Sequence, residues 1–330
     1  MFDRLPLPTP FQVGTVNAYL AGRTVVDPGP DSEDALAALT GGLAERGLEL
    51  SDLERVLVTH PHPDHFGLAK HLRGEGADVV ASPAAAAILR DFEGRLDVEQ
   101  AYFTALFEAH GMAPETTQTV TQLPEAFLEY APSVAVDREV TEGEAVAIDG
   151  DSVTARPAAG HSDGELVLAF GEAHASAAIV GDQVLPHTTP NPFLQPPERL
   201  DPETLVPDFE HPDELDDMRP RQLERYNESL RRLRGAGYDR VLPGHGEVVE
   251  DPPGRIDEIL AAHEERGEDV LDIVDGPTTA VDVMRGLFED LPVIDYFPGM
   301  SEALGHLDVL VERGEIVREV RDGKLVYRPA

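Results

Sequence analysis

Arg55-Val56-Leu57-Val58-Thr59-His60-Pro61-His62-Pro63-Asp64-His65 decides how the chain is read. A short apolar β-type run ends in three imidazoles and a carboxylate packed into six residues. In an extended segment alternate side chains share a face, so His60 and His62 can grip one cation while Asp64 and His65 face a second. Imidazole and carboxylate donors without thiolate suit Zn²⁺, Mn²⁺ or Fe²⁺. A solvated turn would account for any one of these histidines, but not for H-x-H-x-D-H at a strand end.

The flanking sequence alternates strand and helix signals. Upstream stand two β-type runs (11–20 and 24–26), the turn Asp27-Pro28-Gly29-Pro30, and a helix over 32–46 whose Ala35, Leu36, Leu39 and Leu43 share a face. Downstream come a helix from Gly67 to Leu72 and a strand over 78–81, an order that predicts an α/β fold. Residues 83–132 read as a helical excursion, after which strands resume at 133–140, 145–148, 152–155, 165–170 and 178–180. A second excursion, 186–219, is rich in proline and acid; a helix (221–234), a strand (240–242) and the tight turn Pro243-Gly244-His245-Gly246 follow. Asp251-Pro252-Pro253-Gly254 marks a boundary between a domain over 1–250 and one over 251–330. In the latter, three helices precede two strands joined by Arg321-Asp322-Gly323-Lys324, the order of a winged helix.

Composition narrows the chemistry. The 330 residues include no Cys, which excludes disulfide scaffolds, thiolate zinc sites and a cysteine nucleophile. Any metal must sit on His, Asp or Glu. With 26 Lys+Arg against 63 Asp+Glu the net charge is −37, unfavourable for nucleic acid or anionic membranes. Lys70 and Lys324 are the only lysines and the acids are dispersed, as in a cytoplasmic protein of a salt-in halophile. In molar salt the Debye length shrinks to about 3 Å and dense carboxylates repel one another little. The N-terminal residues carry no secretion signal and no window suggests a membrane span, so a cytoplasmic location is expected.

The H-x-H-x-D-H motif resembles that of the metallo-β-lactamase-fold hydrolase superfamily. Gly160-His161-Ser162-Asp163-Gly164 is similar to that family's G-H-T-x-G element, with Ser162 in place of Thr. Gly181-Asp182 and Gly244-His245-Gly246 each follow a later strand, and Asn17 and Asp27 match further family positions. The resemblance covers about residues 10–250, with its elements in the family's order. It implies a four-layer αββα sandwich with helical insertions, and two divalent ions, zinc first with manganese or iron as alternatives. His60, His62 and His161 would hold one ion, Asp64, His65 and His245 the other, and Asp182 would bridge them. A bridging hydroxide would be the nucleophile. Asp27 would orient a ligand, and His187, just beyond Asp182, is a candidate donor to a substrate oxyanion or carboxylate. His71, His110, His174, His211, His263 and His306 read as structural or exposed.

Fold does not fix the reaction. Similarity to hydroxyacylglutathione hydrolases implies a thioester or ester of a small, anionic metabolite, with the two excursions walling a pocket. The alternative is an endoribonuclease acting on single-stranded RNA, which the winged-helix-like tail and Gly276-Pro277-Thr278-Thr279-Ala280 resemble; a lactonase is the second alternative. Residues 251–330 hold 8 basic against 19 acidic residues, whereas an RNA module presents a basic face. Arg313, Arg318, Arg321, Lys324 and Arg328 gather at the third helix and wing. A packing or homodimerisation role is favoured for this domain, with small molecules as substrates and nucleic acid the weaker partner.

Overall fold

Eleven strands form two sheets in the computed structural model, which describes residues 2–171, 176–197 and 212–330. β1 (Asp3–Leu7), β2 (Val16–Ala21), β3 (Thr24–Val26), β4 (Arg55–Leu57), β5 (Asp78–Ala81) and β6 (Arg138–Glu139) build the first in sequence order. Its first three strands pair antiparallel and the rest parallel. β7 (Ala145–Ile148), β8 (Asp151–Pro157), β9 (Leu166–Phe170), β10 (Ala177–Gly181) and β11 (Arg240–Pro243) build the second, ordered β11-β10-β9-β8-β7, with only β10 and β11 parallel. Tyr19, Val26, Leu57 and Val80 of one sheet share a core with Val146, Val153, Leu166, Ile179 and Leu242 of the other. Burying both inner faces makes a sandwich.

Helices in chain order are α1 (Glu33–Ala44), α2 (Pro63–Phe66), α3 (Ala69–Gly74), α4 (Pro83–Arg90), α5 (Phe92–Ala109), α6 (Pro114–Gln122), α7 (Pro212–Asp217), α8 (Gln222–Ala236), α9 (Pro252–Ile273), α10 (Ala280–Leu287) and α11 (Tyr296–Glu312). α1 begins where Ser32 caps the Ala35 N–H (3.2 Å), with Glu33 and Asp34 in its first turn favoured by the helix dipole. α1, α3 and α4 cover the first sheet, and residues 229–236 of α8 line a groove with Thr154, Val167 and Ala169 of the second. The expected layered α/β class is therefore observed. No described helix is long and apolar enough to cross a membrane.

Local departures from the sequence reading have identifiable causes. β1 lies outside the expected strands, because Pro6 interrupts a five-residue strand at a sheet edge, where proline is tolerated. Residues 11–15 form a turn rather than a strand: Gly14 takes φ +90° and the Thr9 hydroxyl accepts the Phe11 N–H. Of 133–140 only Arg138–Glu139 pairs as a strand, since the Val134 N–H is spent on Leu89 O at the end of α4 (2.7 Å). Residues 198–211 of the second excursion, together with His174, lie outside the described residues.

Contacts divide the chain into one unit of residues 1–93, 126–190 and 229–257 and another of 94–125, 191–228 and 258–330. This differs from a single cut at 250/251, because much of both excursions groups with the C-terminal segment. The reason is the core. Tyr102, Phe103, Leu106 and Phe107 of α5 pack with Val281 and Met284 of α10, Leu304 and Leu307 of α11, and Ile316 and Tyr327 of the terminal hairpin β12 (Ile316–Arg321) and β13 (Lys324–Pro329).

A buried histidine gives this second unit a pH dependence. His263 on α9 is 5% exposed; its Nδ1 meets Asn227 Oδ1 at 2.7 Å, and burial and the neighbouring His306 lower its pKa to about 4. The unfolded chain therefore binds the extra proton first as pH falls below the ordinary histidine value. Stability should drop by on the order of 3 kcal/mol between pH 6.5 and 4, where the native group itself protonates. Urea unfolding across this range should show the slope reduced in His263→Gln; an identical slope would assign the loss elsewhere.

Candidate metal centre

β4 delivers the motif to the sheet's C-terminal edge, where the Val58 N–H still bonds Val80 O (2.9 Å). His62 is extended (φ −79°, ψ 144°), and Pro63 then starts α2. The alternation expected of a strand thus ends at His62, and a helical turn aims Asp64 and His65. Proline at the first helical position sets this switch, because its φ suits a helix and no N–H is lost. His161 stands in the turn between β8 and β9, Asp182 follows β10, and His245 follows β11. The Asn17 amide bonds Pro243 O (2.9 Å) and Gly246 O (2.8 Å), and the Tyr19 hydroxyl bonds Pro243 O (2.6 Å), which fixes the His245 turn. A side chain at Gly244 would put its Cβ 2.2 Å from Asp182 Oδ1, so glycine is required for that close approach.

All seven predicted ligands converge. They fall into three overlapping groups, His60/His62/His161, His60/His65/Asp182 and Asp64/His65/His245, each with donor atoms within 4.8 Å of one another. Asp182 lies among them: Oδ1 is 3.6 Å from His65 Nε2, and Oδ2 is 3.6 Å from His161 Nε2 and 3.4 Å from His245 Nε2. His60 Nε2, His65 Nε2, His245 Nε2 and Asp182 Oδ1 are buried without a hydrogen-bond partner. Buried polar atoms are seldom left so, and four of them aimed at one place fit divalent cations with a preference for nitrogen and oxygen.

The outer nitrogens explain the orientation. Asp27 Oδ2 faces His65 Nδ1 at 2.9 Å and accepts the Thr59 hydroxyl at 2.6 Å, while Asp27 Oδ1 accepts the Thr59 N–H at 2.8 Å. The hydroxyl, its proton given to Asp27, accepts from His60 Nδ1 at 3.0 Å. His245 Nδ1 donates to Thr15 O at 2.8 Å. Each ring is therefore held with Nε2 inward, and one carboxylate braces a histidine of two groups. Asp27 adopts φ +52°, a conformation Asp tolerates better than most residues.

Charge follows the same plan. Burial drives the His60 and His62 pKa values down, His62 to about 3, so both rings stay neutral. Burial pushes His65 and His245 down too, but Asp64 and Asp182 outweigh it at His65 and Asp182 does so at His245, which rises to about 10. A cation entering the group would displace those protons.

His187 is exposed five residues beyond Asp182, on a segment held by Arg255, which donates to Leu185 O (2.7 Å) and Thr188 O (2.9 Å). Half-buried Phe11 packs edge-on against Phe127 and Tyr130 (5.4 and 5.6 Å between centroids). Phe11 belongs to the loop that accepts His245 through Thr15, and Tyr130 O bonds the Asp31 N–H (2.8 Å) beside Gly67, at the end of α2. Sequence reasoning missed Thr59, Glu165 and Gln183. A charged residue heading the apolar strand Leu166–Phe170 was the available signal for Glu165. Of the remaining histidines, His71 is exposed and His110, His263 and His306 are buried in the second unit, while His211, like His174, is outside the described residues.

Comparison with known proteins gives concordant results. The family model described as Metallo-beta-lactamase superfamily matches residues 12–245, and that described as Metallo-beta-lactamase-like, C-terminal domain matches 268–330. The probable metallo-hydrolase YqjP of Bacillus subtilis (strain 168) is 31% identical over 326 residues, 97% of this chain and 95% of that protein. The crystal structure of a metallo-beta-lactamase family protein from Thermus thermophilus superposes with a TM-score of 0.76 at 27% identity, covering 100% of this chain and 98% of its own. A beta-lactamase domain protein from Burkholderia ambifaria gives 0.78 at 28% identity, covering 99% and 92%.

Proposed function

The chain belongs to the metallo-beta-lactamase superfamily and is a metal-dependent hydrolase, and on that footing we propose that it uses two divalent ions to cleave a thioester or ester of a small anionic metabolite. The observation that carries the two-ion reading is the position of Asp182 between two sets of inward-facing nitrogens. His60, His62 and His161 hold one ion, Asp64, His65 and His245 the other, and Asp182 is shared. Zinc suits this donor set first, with manganese or iron as alternatives. When bound, the ions acidify a water to serve as nucleophile at neutral pH and polarise the acyl oxygen. Asp27 and Thr59 keep the Nε2 atoms presented. The Phe11, Phe127 and Tyr130 rings offer an apolar seat for the acyl group, and His187 a donor for the anionic end.

The C-terminal arginines favour this reading over RNA cleavage. Arg313 pairs with Glu264 (2.6 Å), Arg318 with Asp216 and Asp217, and both Arg321 and Arg328 with Glu319. Carboxylates of the same unit thus neutralise the cations that an RNA backbone would need.

A panel of thioesters, esters, lactones and single-stranded RNA, assayed at low and molar salt, tests the proposal, with elemental analysis of the metal-replete protein. Thioester or ester turnover with close to two ions per chain is expected. RNA cleavage lost on removing 251–330 would overturn the substrate assignment, and protein without metal would overturn the mechanism.

A further inference from the structure

We infer that Glu165 is a positioning residue for the metal centre, holding Asp182 in the place from which it serves both groups of histidines. The inference rests on the reading of Asp182 as the shared ligand. Glu165 is 1% exposed, and among the described residues no Arg or Lys pairs with it. Its two oxygens are instead committed to adjacent residues. Oε1 accepts the Asp182 N–H (3.3 Å) and Oε2 accepts the side-chain amide of Gln183, which also reaches Ala159 O (3.2 Å). A carboxyl without a cation partner is costly to bury, and an apolar side chain would fill the space at lower cost if filling were its role.

Its place in the backbone supports the same conclusion. Glu165 follows His161 by four residues and its carbonyl accepts the Ala158 N–H (2.8 Å), closing the turn that carries His161. The next N–H, of Leu166, goes to Thr59 O (2.8 Å), beside His60. Gly181, at φ +50°, marks where these segments meet: a Cβ there would lie 2.9 Å from Thr59 Oγ1, 3.1 Å from Glu165 Oε1 and 3.3 Å from His60 Nδ1. Glu165 therefore ties the segments bearing His60, His161 and Asp182 to one another. Displacing the Asp182 backbone by a fraction of an ångström would spoil its distance to both histidine groups at once.

Titration of the metal-free protein with Co²⁺ tests this, read by competition with a chelator and by the visible bands of the bound ion. Native protein should take up two ions. Glu165→Leu removes both acceptors and should weaken uptake by about 10- to 100-fold with altered visible bands. Glu165→Gln preserves volume and keeps one acceptor, so a smaller loss is expected. The exchange E165Q/Q183E restores a donor and an acceptor between these positions and should recover part of the affinity, which a filler role would not produce. Two Co²⁺ bound with native affinity and native bands in Glu165→Gln and E165Q/Q183E alike would overturn the inference. Glu165→Gln decides the matter should the leucine variant fail to fold. Fewer than two ions in the native protein would instead overturn the two-ion reading, and this inference with it.

Discussion

Asp182→Ala is expected to lower kcat/KM by more than about 1000-fold while the metal-free protein keeps its fold. The side chain is 8% exposed and reaches three histidines, at 3.4 to 3.6 Å from their Nε2 atoms, more than any other carboxylate of the centre. On the proposed two-ion reading, removing it would deprive both ion positions of a ligand. A Lewis-acidic ion contributes several kcal/mol of transition-state stabilisation, and about 4 kcal/mol corresponds to 1000-fold in rate. His65 and His245 should also change character. Asp182 helps to hold their protons against burial, so their pKa values should fall in the variant. Three measurements separate the cases: kcat/KM on the preferred substrate, elemental analysis, and circular dichroism of the metal-free protein. A variant that keeps two ions and its rate would show that Asp182 is not shared. Chelation of the native protein should give the same loss, reversible with Zn²⁺.

The candidate ligand set was legible because its chemistry is local. Four candidate ligands sit in one hexapeptide, and His161, Asp182 and His245 each follow a β-type run and stand next to a glycine. What holds the ligands was less visible. Thr59 and Glu165 make their contacts across the sequence, 32 residues to Asp27 and 17 to Asp182; nothing local marks Thr59, and the charge heading an apolar strand at Glu165 does not name its partner. The grouping of the excursions with the C-terminal segment was hidden for a similar reason. The apolar face of α5 reads as ordinary amphipathic helix, and only long-range packing shows that Phe103 and Phe107 meet Phe297. Residues 186–219 read as a pocket wall rich in proline and acid, and nothing in that composition singles out Asp216, which has no exposed area.

Asp216→Ala should destabilise the second unit by about 3 to 5 kcal/mol, the usual effect of leaving buried charge unpaired. The carboxylate accepts from His110 Nε2 (3.0 Å), Arg219 Nε (2.6 Å) and Arg221 (3.1 Å), and is also paired with Arg318. Arg219, itself buried, donates both remaining nitrogens to Asp308 at 2.6 and 2.7 Å. Burial and Arg219 keep the His110 pKa well below its usual value, so the ring is a neutral donor to Asp216. Without that acceptor, three guanidinium groups face Asp308 and Asp217 alone. In a two-state unfolding the loss corresponds to a Tm lower by about 6 to 20 °C. Salt distinguishes this network from the surface charge that dominates the composition. The exposed Arg313–Glu264 pair should contribute little in molar salt, where screening acts over about 3 Å. Asp216 has no exposed area through which salt could screen it, so its variant should lose as much stability at molar as at low salt. Differential scanning calorimetry of Asp216→Ala and Glu264→Ala at both salt concentrations decides this. Recovery of the Asp216 variant by salt would place the network in contact with solvent; persistence of the loss would show that acidity at the surface and ion pairing in the core are independent features of one chain.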